Sequence, residues 1–156
     1  MTVRSKVSDA LIFNEANVTY SPDRSRSLQE LEGTDWGDPD PNDTDMVQRI
    51  HSLRRKPLSH LSDEELRLAV SQQVGTPHLL EIALDRLTSD PLLECEHYPG
   101  DLLAALVRLD ESEWVGRPDL KTDLAACFQI AIERPDDDTD ALRDILGLPG
   151  DPQRIN

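Results

Sequence analysis

Leu79, Leu80, Ile82, Ala83, Leu84 and Leu87 surround nearly the whole circumference of one helix-compatible stretch. They leave a narrow polar stripe of His78, Glu81 and Asp85. A helix apolar on most sides must be covered on most sides, so this stretch has to lie at the centre of a fold. Thr76-Pro77 opens it as cap and first-turn proline. The segment from Asp101 to Leu109 has the same character, with Leu102, Leu103, Leu106, Val107 and Leu109 and only Arg108 as an interior charge. Two such helices predict the middle of a helical core.

The neighbouring segments supply further helices. Met46, Val47, Ile50 and Leu53 share one face of a helix ended by Pro57. Ser62 with Glu65 three residues on forms a capping box, and Leu61 is placed to staple onto Leu66. Leu66, Ala69, Val70 and Val74 continue that helix to Gly75, expected as its C-terminal cap. After Pro118 the residues Leu120, Leu124, Cys127, Phe128 and Ala131 recur at helical spacing. The acidic turn Asp136-Asp137-Asp138 leads to a short last helix with Leu142, Ile145 and Leu146, stopped by Gly147 and Pro149. Residues 33–43 read GTDWGDPDPND, too rich in turn formers for a helix, and are expected to be a loop. In residues 1–26, Leu11–Phe13 and Val18–Tyr20 have strand character and Ser21-Pro22-Asp23 ends them, so an N-terminal arm or short extended pair is expected. The fold class is all-α: an irregular bundle of about six helices in a single domain over residues 1–156, with this short extended N-terminal segment.

Charge is the extreme bulk property. Sixteen Lys+Arg against 31 Asp+Glu give −15, and residues 1–30 balance to zero, so residues 31–156 carry all of it. Such a surface repels phosphate backbones and excludes nucleic acid as a natural ligand. It attracts a basic protein, although acidic surfaces also serve solubility alone. No stretch is apolar for long enough to be a signal peptide or a membrane span, so no membrane partner is expected and the chain is read as cytoplasmic. Cys95 and Cys127 make no CxxC pair and are expected as reduced thiols.

Ordered blocks between Ser27 and Trp114 carry a resemblance. They read SLQELEGTDWGDP, LRRKPLSHLSDEELRLAVSQQVG, LEIALDRLTSDPL and YPGDLLAALVRLDESEW. Together they resemble the helical immunity proteins of contact-dependent growth inhibition systems, over 88 of 156 residues. On this resemblance residues 27–114 are the family-like core and 115–156 hold added C-terminal helices. It implies a protein that binds, one to one, the cognate toxin domain of a large secreted or surface-presented effector. The absence of a membrane span points to a toxin acting in the cytosol, and the acidic surface to a basic one such as a nuclease. Blocking its active site or substrate path needs no enzyme activity from the chain. The rival readings are a small helical enzyme with an unrecognised site and an acidic helical adaptor for another basic protein.

Two acidic clusters around tryptophan are the candidate contacts. Asp35, Trp36, Asp38, Asp40 and Asp43 form one, and Glu94, Glu96, Glu111, Glu113 and Trp114 the other. An aromatic among carboxylates is the composition of a hot spot facing a basic partner. Each tryptophan reads equally as a core anchor. Asp63, Glu64 and Glu65 favour the first turn of their helix through its dipole, and Asp101 after Gly100 reads as an N-cap. No catalytic motif is present. Cys95 and His97 with their flanking glutamates fall short of a four-ligand zinc set, and His51, His60 and His78 stand apart, so neither metal nor cofactor is expected.

Overall fold

The computed structural model describes residues 11–13, 18–134 and 140–147. The rest of the N-terminal arm and the acidic turn at residues 136–138 lie outside the described residues. Seven α-helices appear among those described: α1 Leu28–Glu32, α2 Asp45–Leu53, α3 Asp63–Ser71, α4 Thr76–Ser89, α5 Asp101–Val107, α6 Pro118–Ile132 and α7 Asp140–Ile145. Single 3-10 turns occupy Leu58–His60 and Glu111–Trp114. The fold is all-α, and among the described residues its strands are an antiparallel pair, β1 (Leu11–Phe13) and β2 (Val18–Tyr20). Leu11 faces Tyr20, Ile12 faces Thr19 and Phe13 faces Val18. The chain divides into two compact units, Met1–Glu65 and Leu66–Asn156.

In the first unit the short helix α1 adds to the elements expected. Its Ser27 Oγ accepts the Glu30 N–H at 3.2 Å and its Glu30 carboxylate accepts the Ser27 N–H at 3.3 Å. This capping box was written in the sequence as S-x-x-E, but five residues are too few to show periodicity. Backbone bonds then fasten the segment before and at the start of α1 to the chain after α2. Ser59 N–H donates to Arg24 O, Leu58 N–H to Arg26 O and Gln29 N–H to Arg54 O, all within 3.0 Å. Leu28, Ile50, Leu53, Leu58 and Leu61 are buried apolar residues of this unit.

The capping box at the start of α3 forms as its sequence requires. Glu65 N–H donates to Ser62 Oγ at 3.1 Å and Ser62 N–H to the Glu65 carboxylate at 3.0 Å. Burial acts to raise the Glu65 carboxyl, but bonds from Lys56 and Ser62 outweigh it and leave the group below the ordinary range. The stability it contributes is therefore present at neutral pH and lost as pH falls through its lowered pKa. Ser62→Ala should cost about 1 kcal/mol, measured by urea unfolding. It should leave affinity for a binding partner untouched, and a loss of binding at unchanged stability would contradict the capping role.

The helix ends earlier than expected, at Ser71. Gln73, not Gly75, takes the left-handed conformation that closes it, with φ 57°. Val74 N–H donates to Ala69 O at 2.9 Å and Gln73 N–H to Val70 O at 3.0 Å, the paired bonds of a Schellman end. Gly75, also left-handed, instead sits before the first turn of α4, and Thr76 is a buried first-turn residue and not the cap.

The second unit is built on α4 as its composition demanded. Its six apolar side chains are at most 4% exposed, and each Leu or Ile among them stabilises by about 1.5–3 kcal/mol relative to exposure. Helices α6 and α5 pack on α4 and on each other, and α7 packs on α5. Leu102, Leu103, Leu106, Leu120, Leu124, Ala131 and Leu142 are among the other buried residues of this core. Gly100, at φ +85°, starts α5 where an added Cβ would lie 3.2 Å from Leu142 and 3.3 Å from Leu92. The left-handed turn calls for glycine there, and an added Cβ would also press on those two leucines. Cys95 and Cys127 are buried and not joined in a disulfide, and burial pushes the Cys127 thiol up.

Candidate functional site

The loop after α1 is held by its own aspartates, by His51 of α2 and by Arg55 just beyond that helix. Asp35 accepts the Gly37 N–H at 2.7 Å, Asp40 the Asn42 N–H at 2.8 Å and Asp43 the Asp40 N–H at 2.9 Å. The first two are Asx turns, and with the third they fix the loop without helical or strand bonds. The Gly37 carbonyl accepts from Arg55 at 2.8 Å and meets His51 Nδ1 at 3.1 Å, which places the proton on Nδ1. Arg55 also pairs with Asp38 at 2.9 Å.

Beneath the loop lies a buried arginine, which the sequence reading missed. Arg54 is 1% exposed. Its guanidinium pairs with Glu32, donates to Thr34 O at 2.8 Å and lies 4.0 Å from the centroid of the Trp36 ring. Its Nε is buried without a hydrogen-bond partner. His51 meets the same indole edge-on at 5.6 Å. Trp36 nevertheless remains 48% exposed. The indole is thus held from one side and open on another, with Asp35, Asp38 and Asp40 exposed around it and Asp43 half-buried. The structure brings all five residues of the first cluster into one loop.

The second cluster is organised differently. Asp101 does not cap α5, since Gly100 holds that position. Its carboxylate accepts three N–H groups of the preceding loop, from Cys95 at 2.8 Å and from Glu96 and His97 at 2.9 Å. Arg67 lies 3.8 Å from the same carboxylate and 3.3 Å from Glu96. Glu94 is exposed on this loop. Glu111 is exposed at the start of a 3-10 turn and pairs with Lys121, while Glu113 is half-buried. Trp114 is 5% exposed. Its indole belongs to the core, so of its two readings the anchor is the one its burial favours. Among the described residues no group of three or more His, Cys, Asp or Glu is placed to hold a metal ion. No helix among them is long and apolar enough to cross a membrane.

The sequence profile of the CDI immunity proteins matches residues 30–124, well over half of the chain. The chain belongs to this family, whose members protect against a toxin of contact-dependent growth inhibition. No curated protein and no solved structure matches it. The matched span runs past Trp114 into α6, so part of that helix belongs to the family's framework.

Proposed function

We propose that this protein resides in the cytoplasm and binds a basic, cytosol-acting toxin domain, of nuclease chemistry, in a one-to-one complex. The complex covers the toxin's active site or substrate path, and the chain itself performs no catalysis. The observation that carries this reading is the loop at residues 33–43, where a half-exposed indole stands among exposed carboxylates on a chain of net charge −15. A nuclease needs cationic groups where it holds phosphate, and carboxylates of a bound inhibitor can occupy those groups. Loops fixed on a rigid scaffold are common recognition elements.

The test is co-expression with the toxin domain encoded beside this chain. Growth should be rescued, and the purified pair should associate more slowly as salt rises while dissociation changes little. Association rates flat across the salt range would remove the argument from charge.

Trp36 allows a sharper test. Trp36→Ala should weaken toxin binding by at least ~2 kcal/mol. Its stability cost should stay below about 2 kcal/mol, the size of the contact with Arg54. Asp38→Lys with Asp40→Lys should weaken binding further through repulsion. Charge reversals that bind as well as the natural chain would move the interface away from this loop.

A further inference from the structure

We propose that a groove on the second unit receives an apolar side chain of the toxin, flanked there by Lys or Arg. This rests on the toxin-binding reading and adds to it a contact independent of the loop at residues 33–43. The groove encloses about 210 Å³, lined by Val107, Leu109, Trp114, Leu124, Ala125 and Phe128, with Glu111 and Lys121 also lining it. Trp114 and Leu124 are buried in it, Phe128 is half-buried, and Val107 and Ala125 are exposed. Val107 lies on α5 and is 37% exposed, and Val115, next to Trp114, is 80% exposed. Apolar surface grouped in a concavity, with charge around it, has the anatomy of an interface core and its rim.

Charge selects the occupant. The turn leading to Trp114 carries Asp110, Glu111 and Glu113, with the Glu111 side chain 86% exposed. Lys121 is the cation in the groove wall, and it pairs with Glu111. A second copy would bring the same acidic turn against this one, with −15 on each chain, and be repelled. Nucleic acid is repelled for the same reason. A basic protein satisfies both features, its apolar residue filling the groove while its cations meet Asp110, Glu111 and Glu113. In this arrangement Trp114 works from within the core, as the wall against which the toxin residue packs.

The experiment measures affinity for the adjacent-encoded toxin domain, inactivated by substitution, using the full chain. Ala125→Trp fills the groove from an exposed helical position, and Val107→Arg adds bulk and opposing charge at another. Each should weaken binding at least about 30-fold while circular dichroism and melting stay those of the natural chain. Ile130→Trp, on the same helix but outside the groove, should bind normally. If the natural chain binds the toxin and Ala125→Trp and Val107→Arg bind equally well, the groove is not a contact, although the toxin reading stands. If the natural chain fails to bind, the underlying reading falls and this inference with it. A natural chain that sediments as a dimer, with Ala125→Trp monomeric, would assign the groove to a second copy and overturn the proposal.

Discussion

Asp101→Ala should lower the free energy of unfolding by about 3–5 kcal/mol, a large share of what a domain of this size possesses. The residue is 2% exposed and its carboxylate accepts three backbone N–H groups within 2.9 Å. Removing it leaves those donors without their acceptor, each costing about 1–3 kcal/mol where water cannot replace it. Arg67, 14% exposed and beside the same carboxylate, loses one of its two anionic neighbours. Asp101→Asn separates the contributions. Its single carbonyl oxygen can replace only one carboxylate oxygen, keeping either the Cys95 bond or the Glu96 and His97 pair, so a smaller but substantial loss is expected. Guanidinium or urea unfolding with a common slope measures both. An Asp101→Ala protein within about 1 kcal/mol of the natural chain would show that the loop at residues 94–97 holds itself.

The role of Asp101 also marks where sequence reading stops. A carboxylate after glycine at a helix start looks like a cap, because caps are local and leave a local pattern. What Asp101 accepts comes instead from a turn that folds back over it, and no periodicity encodes that. The same distinction sorts the rest of the fold. The helices α4 and α6 were legible because their apolar residues repeat at helical spacing, and α3 because Ser62 and Glu65 stand three apart. The end of α3 was misplaced because glycine is the usual left-handed residue, whereas here Gln73 adopts that conformation first. In the candidate site, the composition of the loop and its exposed carboxylates could be read directly. The support under Trp36 could not, because Arg54 sits in an Arg-Arg-Lys run that reads as exposed cation, and its partners lie about twenty residues earlier.

That buried arginine carries the second large effect expected. Arg54→Leu should cost about 2 kcal/mol, the scale of hydrogen bonds from a charged donor, since the Glu32 side chain left behind is 33% exposed and regains water. Glu32 loses its cation, Thr34 O loses its donor and the Trp36 ring loses the group stacked on it. Arg54→Lys should recover little, because an ammonium cannot pair with Glu32, donate to Thr34 and lie flat on an indole at once. The substitution also separates stability from presentation of the loop. Trp114 is buried and Trp36 half-exposed, so acrylamide quenching of the folded protein reports mainly on Trp36. In Arg54→Leu, under conditions where the protein remains folded, quenching should rise and emission shift to the red as the indole leaves its seat. Toxin affinity should then fall even though every acidic residue of the loop is intact, since ordering a released loop at binding has a free-energy cost. Unchanged quenching together with normal affinity would mean that the aspartate turns and Arg55 hold the loop without Arg54. The buried guanidinium would then serve only the packing between α1 and the end of α2.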